Sequence, residues 1–569
     1  MKNYFNSLKK SVWVVSALCL FVSCNDVWEN HYSTDSSIVP DKNLAERIEQ
    51  LDGTENFIAT LKTTKMFNGN KILDLTYYDF LSSDQFLTVW IPSAESVSEE
   101  DWALYTKENK TYEENKNVGQ QFIKNHIARF NNPVGVSTKE RVRMLSKKRY
   151  WSLSDNLDGI SYKADGMNLP CTNGVLHLLD GILPYRPTIY EYITETPGYE
   201  DNLGSFLERF TIDEVDDNRS VISGVDGNGD PIYIDSVTYK YSVVMNKFGQ
   251  ISEEDSNYVV ILPTPEALKE MYDSVKKSFD FTPPIYIESD KKTEVGHFEP
   301  GTPTVVSDSL TEFYTYDALL TDMFYNMNIQ RHPLDSVMST LYYEGLERVE
   351  DEPQYKYYAP YSAEGLFKKN VVDSVICSNG KIYLTDKWSF DEAEIFRRPI
   401  KIEAEHTAYI KAKTLTSEQL MVRRDKYGIR VSNERALRIT GEQGATGWTI
   451  TYSAFDNLKG NYKIGLVILN DTLFNNPEMR PVRFTYVVTY NNCELLKSPR
   501  REYMGNDITV PIDTVWIPGV VSVPQSNYGQ ERPKLDIKIE DKSNSSTSST
   551  MYLDCIIVKP VADDYVDPE

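Results

Sequence analysis

Three rhythms of apolar and polar residues follow one another along this chain. First, Lys2, Lys9 and Lys10 precede a mostly apolar run, Val12-Trp-Val-Val-Ser-Ala-Leu-Cys-Leu-Phe-Val22. From residue 45 to about 400, helix-period segments then take turns with short apolar runs. Asn56-Phe-Ile-Ala-Thr-Leu61 and Ser205-Phe-Leu-Glu-Arg-Phe210 carry a helical period. Phe86-Leu-Thr-Val-Trp-Ile91 and Tyr258-Val-Val-Ile-Leu262 read as strands. Each stops at a proline (Pro92, Pro263), followed by a hydroxyl (Ser93, Thr264) and then a glutamate (Glu95, Glu266). A strand, a proline stop, a hydroxyl cap and an acidic first turn predict a strand-to-helix junction. From about Ile400 a period of two dominates. The predicted strands there are Ile429–Ser432, Thr446–Tyr452, Asn461–Leu469, Val482–Tyr490 and Met551–Val558, spaced as in a β-sandwich.

The middle region is internally repeated. Cys171-Thr-Asn-Gly-Val-Leu-His-Leu-Leu-Asp180 returns as Cys377-Ser-Asn-Gly-Lys-Ile-Tyr-Leu-Thr-Asp386. The two strand–proline junctions and the two helical segments precede these motifs in the same order, which points to a duplicated domain. Phe122-Ile-Lys-Asn-His-Ile127 aligns with Phe324-Tyr-Asn-Met-Asn-Ile329. The second copy is longer. A β-hairpin is predicted around Val221–Asp235, and a Pro-rich, charged surface loop over residues 282–312.

Composition then narrows the picture. A chain of 569 residues predicts several domains. A net charge of −24 repels phosphate backbones and argues against a nucleic-acid partner. Six widely spaced cysteines, without a Cys-x-x-Cys, form neither a zinc framework nor a small disulfide scaffold. Cys171 and Cys377 read as buried small hydrophobes, and whether Cys493 and Cys555 pair is left open. The basic start and apolar run make a secretory signal too short for a comfortable membrane span. It ends in Phe21-Val22-Ser23-Cys24, which resembles the lipobox of bacterial lipoproteins; that resemblance makes Cys24 the lipidated residue. Asp26 and Glu29 resemble a sparse export signal to the outer face of the outer membrane. The expected address is therefore an outer-membrane lipoprotein exposed at the cell surface, tethered by residues 24–44.

The repeated blocks resemble the fasciclin (FAS1) domain. Its first signature is matched by Trp90-Ile-Pro-Ser-Ala-Glu-Ser-Val97 and Ile261-Leu-Pro-Thr-Pro-Glu-Ala-Leu268. Its second is matched closely by Asn173–Asp180 and loosely by Asn379–Asp386, where Tyr383 replaces the histidine. The family's central Tyr-His pair departs to Asn125-His126 here, and to Met327-Asn328 in the second copy. The resemblance implies two α+β FAS1 domains, residues 45–188 and 189–400, and a role in adhesion.

Residues 401–569 open with Ile402-Glu-Ala-Glu405 and close with Leu553-Asp-Cys-Ile-Ile-Val558. This pairing resembles the galactose-binding-like jelly rolls of many carbohydrate-binding modules. The resemblance implies a structural calcium on Glu403, Glu405 and Asp554, the alternative being plain surface carboxylates; calcium favours such hard oxygens. Tyr452, Tyr486 and Tyr490 are candidates for a sugar-stacking platform, with core filling as the other reading of such alternating aromatics. The repeated Asp-Ser/Thr-x triplets, as at Asp273-Ser-Val275, resemble a bacterial O-glycosylation acceptor and are also ordinary turn chemistry.

No catalytic motif emerges. His-Glu-x-x-His, Gly-x-Ser-x-Gly and the phosphate-binding loop are missing from the sequence. Asp226-Gly-Asn-Gly-Asp230 begins like a calcium loop but places Pro231 where that loop needs glycine. The expectation is a non-catalytic surface lipoprotein that binds a glycan or a surface protein, as an adhesin or beside an outer-membrane transporter in glycan uptake. The alternative is a glycan hydrolase using two carboxylates, with an appended binding module.

Overall fold

The computed structural model describes residues 40–68, 71–215, 221–225, 231–235, 238–291, 294–321, 323–326, 337–342, 355–358, 365, 368–388, 390–441, 447–474, 480–499 and 502–565. Cys24, the apolar segment, Met327-Asn328 and Asp226–Asp230 lie outside the described residues. The chain forms two compact units, residues 1–185 and 186–569. Among the described residues no helix is long and apolar enough to cross a membrane.

The first unit is α+β. Helix α1 (Leu44–Ile48) starts on a capping box between Asn43 and Glu46. Strands β1 (Leu87–Ile91), β2 (Ile127–Arg129), β5 (Leu169–Cys171) and β6 (Gly174–Leu178) form a sheet in the order β2-β1-β6-β5, with β1 and β6 parallel. Strands β3 (Lys139–Arg143) and β4 (Arg149–Leu153) pair antiparallel in a second sheet, completed by Asn156–Leu157 and Ile160–Ser161.

The second unit opens with α2 (Ile189–Glu195), again on a capping box, Thr188 with Glu191. Its sheet contains β7 (Tyr258–Pro263), β10 (Phe324–Asn326), β11 (Val371–Cys377) and β12 (Gly380–Thr385), in the order β10-β7-β12-β11 with β7 and β12 parallel. The order and strand directions repeat those of the first unit. So does the register. Gly174 stands opposite Leu87 and Gly380 opposite Tyr258, which places Pro92 and Pro263 at equivalent positions.

The repeated Asn-Gly has a physical reason. Asn173 Oδ1 accepts from the backbone N–H of Leu44 at 2.8 Å, and its Nδ2 donates to the Leu81 and Ser83 carbonyls. Asn379 Oδ1 accepts from the N–H of Ile189 at 2.9 Å, and its Nδ2 donates to the Ile251 and Glu253 carbonyls. Each amide thus satisfies one buried helix-start donor and two loop carbonyls that would otherwise be orphaned. The glycine is needed because a Cβ at 174 or 380 would lie 2.0 Å from the carbonyl oxygen of Leu87 or Tyr258.

Several expectations are corrected. By register, Phe324 faces Val260 as Ile127 faces Val89, so Phe324 is equivalent to Ile127, not Phe122. The apolar spacing allowed either alignment, and only strand pairing decides. At Pro92-Ser93 the chain makes a short 3-10 turn; the helix Glu99–Tyr105 starts later, capped by Ser98, where three acidic residues suit its first turn. Residues 282–312 are not a long loop. They hold the hairpin β8 (Ile285–Ile287) and β9 (His297–Glu299) and the first half of helix α3 (Val305–Leu320). The hairpin expected at Val221–Asp235 is present, as the paired strands Val221–Val225 and Pro231–Asp235.

The rest of the second unit is an antiparallel two-sheet sandwich. The first sheet runs β15 (Thr416–Met421), β16 (Arg435–Thr440), β24 (Met551–Val561), β18 (Gly460–Leu469), β21 (Ile512–Trp516), with β13 (Ile400–Glu403) on β24 and β22 (Val521–Val523) on β18. The second runs β14 (Ile410–Thr414), β17 (Thr449–Ala454), β23 (Leu535–Asp541), β19 (Phe484–Tyr490), β20 (Cys493–Lys497). One core joins the inner faces. Ile429–Ser432 is not a strand; it follows a short helix ended by left-handed Gly428. The four described cysteines are free thiols, Cys493 on one sheet and Cys555 on the other.

Candidate functional site

The sandwich brings Glu403, Glu405 and Asp554 together at the end of the β13–β24 pair, where Glu403 stands opposite Cys555. The Ser432 N–H donates to Asp554 at 3.0 Å and the Ser432 hydroxyl to Glu403 at 2.6 Å, while Lys401 lies 3.4 Å from Glu403. Burial pushes the Asp554 carboxyl up to about 7; the Ser432 amide opposes this, and the charges of Glu403 and Glu405 add to it. Glu405 is likewise raised, first by burial and then by Glu403. One oxygen each of Glu403 and Glu405 is buried without a hydrogen-bond partner. Among the described residues no group of three or more His, Cys, Asp or Glu side chains is set to hold a metal ion.

Tyr452, Tyr486 and Tyr490 are corrected as a platform: all three are buried, at 0, 3 and 1 % exposure. Tyr486 and Tyr490 share a face of β19, and that face is the inner one. Their hydroxyls donate to the Pro518 and Gln525 carbonyls, and that of Tyr452 to the Ala404 carbonyl. Trp448 is core as well, its indole N–H on the Ser549 carbonyl.

Trp516, at the end of β21, does face solvent at 39 % exposure, and Tyr503 and Tyr565 are exposed as well. Trp516 pairs with Gly465 of β18. A Cβ at 465 would sit 3.0 Å from the six-membered ring of Trp516, so the indole rests on bare glycine backbone. The same face of β18 carries Asn461, whose side-chain oxygen accepts the Ser522 hydroxyl at 2.6 Å. Asn461 and Gly465 are four residues apart, about 13 Å along the strand. The indole is an apolar plate open on one side, which suits a sugar ring's apolar face; the Asn461–Ser522 pair lies farther along the strand, beyond Lys463.

No family model matches the chain, and no curated protein matches it. Among solved structures, a xanthan lyase from Paenibacillus overlaps 32 % of this chain and 15 % of its own, with 16 % identity and a TM-score of 0.21. A family 35 carbohydrate-binding module in complex with a disaccharide containing glucuronic acid overlaps 28 % of this chain and 94 % of its own, with 9 % identity and a TM-score of 0.19. A Podospora anserina mannanase carrying such a module overlaps 29 % of this chain and 28 % of its own, at 17 % identity and a TM-score of 0.18. At these TM-scores the overlaps carry no argument for this chain's activity.

Sequence reasoning missed Trp516. The signal was Gly465, a lone glycine inside an apolar strand, which marks a close approach. The two described histidines of the first unit, His126 and His177, are structural. His126 donates from Nδ1 to the Phe122 carbonyl at 2.8 Å and accepts the Leu183 N–H at Nε2. His177 does the reverse, accepting the Asn168 N–H at Nδ1 and donating from Nε2 to the Asn132 carbonyl. With both nitrogens of each ring engaged in the neutral form, neither is poised as a base. A cavity of 470 Å³ in the second unit is lined by Lys247, Asp317, Arg398, Asp456, Phe396 and Tyr528, and another of 310 Å³ by Asp280, Phe298, Lys459 and Pro524.

Proposed function

We propose that this chain is a non-catalytic, lipid-anchored outer-membrane surface protein that binds glycan through its C-terminal sandwich, beside two FAS1-type domains. The half-exposed Trp516 laid on Gly465 carries the reading. A flat ring with one free face gains by stacking on a sugar, and each such contact contributes modestly. Single sugars therefore bind weakly and polymers better, through several contacts at once. An outer-membrane transporter for the captured glycan belongs to the same proposal as a partner. The test is a glycan array on the full chain with calorimetry on each hit, reducing-sugar release being assayed in parallel. Binding that falls about tenfold in Trp516→Ala, with no sugar released, supports the proposal. Release of product moves the chain to the hydrolases, and binding indifferent to Trp516 removes the plate from it.

A structural calcium on Glu403, Glu405 and Asp554 is proposed with it; the three carboxylates are not set as a metal cluster as they stand and would have to close on the ion. The two orphaned carboxylate oxygens are the groups that would take a hard cation. Calcium then raises the melting temperature of the chain and chelator lowers it, and Glu405→Gln abolishes the difference. If calcium leaves melting unchanged, Ser432 and Lys401 alone hold the cluster.

A further inference from the structure

The chain carries a net charge of −24, yet residues 139–149 contain six cations and one acid. These residues build the β3–β4 hairpin of the first unit, whose alternation sorts them. Val142 and Tyr150 face the core as a cross-strand pair. The pairs Lys139–Leu153, Arg141–Trp151 and Arg143–Arg149 take the opposite face. Glu140 is opposite Ser152 on the Val142 side, so the outer face of the strand pair carries no acid. Lys139, Arg141 and Arg143 are exposed, and among the described residues none of the three enters an ion pair. Trp151 sits at the centre, 46 % exposed, with the Arg141 guanidinium 6.0 Å from its ring.

Stability does not explain this face. An exposed tryptophan gains little from burial, and Lys139, Arg141 and Arg143 stand in water. Same-face residues on a strand recur about every 7 Å, so the cations form a ladder beside the indole. Guanidinium groups take carboxylate or sulfate oxygens in paired hydrogen bonds, and the indole offers a plate to a ring's C–H face. The chain's other charges are screened beyond roughly 8 Å at physiological salt, so a ligand at the hairpin meets the local cations.

We propose that the outer face of the β3–β4 hairpin binds an acidic polysaccharide, with Arg141 and Arg143 on its carboxylate or sulfate groups and Trp151 under a sugar ring. A glycan is favoured over a nucleic acid or a membrane on charge density. A phosphate backbone or an anionic bilayer brings closely spaced charge over a wide area and meets the surrounding −24 as well. The site is independent of Trp516 and of the sandwich.

The experiment measures binding of the full chain to alginate, a polyuronate, to dextran sulfate and to neutral dextran, at two salt concentrations. Duplex DNA and anionic phosphatidylglycerol vesicles are further arms. Expected is salt-sensitive binding to one or both acidic glycans and none to dextran. Arg141→Glu with Arg143→Glu weakens it roughly tenfold or more, Trp151→Ala weakens it severalfold, and Lys269→Glu on the other unit leaves it unchanged. Sulfate or carboxylate preference follows from which of the two polymers binds. Binding untouched by the Arg141/Arg143 reversal overturns the proposal, as does the absence of binding to either acidic glycan. Equal binding to DNA or vesicles without sensitivity to Trp151→Ala overturns it too, since charge alone would then be at work. Circular dichroism of each variant reports folding.

Discussion

His126 and His177 show how single residues tie this fold to pH. Burial lowers each to about 4 from an ordinary 6.5, partly opposed by the hydrogen bonds to the Phe122 and Asn132 carbonyls. His177 also stacks on Trp90, rings 5.5 Å apart and 12° from parallel. Because the folded-state values are depressed, the unfolded chain takes up these protons first. The stabilisation is complete above about pH 6.5 and is lost as pH falls towards 4, at up to about 3 kcal/mol per histidine. Calorimetry of the first unit's transition between pH 7 and 4 should show this loss, and His177→Gln should make it shallower. An unchanged slope would mean that carboxylates, not the histidines, carry the acid sensitivity.

At the scale of elements, the β8–β9 hairpin joins the second sheet layer to the sandwich. Phe298 meets Tyr490 edge-on, ring centres 5.9 Å apart, and the Tyr286 hydroxyl reaches the Glu494 carbonyl. Beside it, Lys459 pairs with Asp280 at 2.7 Å, and Gln525 donates to the Phe281 carbonyl at 2.6 Å. Within this unit the sandwich and the preceding α+β layer should therefore melt as one. Phe298→Ala should lower that transition by about 1–3 kcal/mol, and replacing residues 285–299 by a short Gly-Ser link should split it in two. A single, unshifted transition would show that the Asp280 and Phe281 contacts suffice. The sequence read this stretch as loop because its prolines, Pro283, Pro284, Pro300 and Pro303, mask two strands of only three residues each. Strands this short have no periodicity to detect; they exist because the sandwich offers them a surface.

For the whole molecule, the proposed anchor sets where the binding faces work. The N-terminal order of basic, apolar and small residues before Cys24 predicts a mature chain that begins there with a lipid. A fatty-acid probe should label the wild type in cells and not Cys24→Ala, which should also leave the membrane fraction; equal labelling of the two would refute the anchor. What the sequence determined by itself is whatever depends on local order. The strands around Pro92 and Pro263, the alternation of the sandwich and the paired Asn-Gly motifs are all written in neighbouring residues, because strand periodicity and backbone constraint act over a few positions. The tertiary structure decided which face is which. Tyr486 and Tyr490 share a strand face whether that face is buried or open, and only the packing of two sheets turned them inward and left Trp516 outside. Glu403 and Glu405 lie about 150 residues before Asp554 in the chain and meet it only because the first and last strands of the sandwich pair, a contact that strand propensity cannot register.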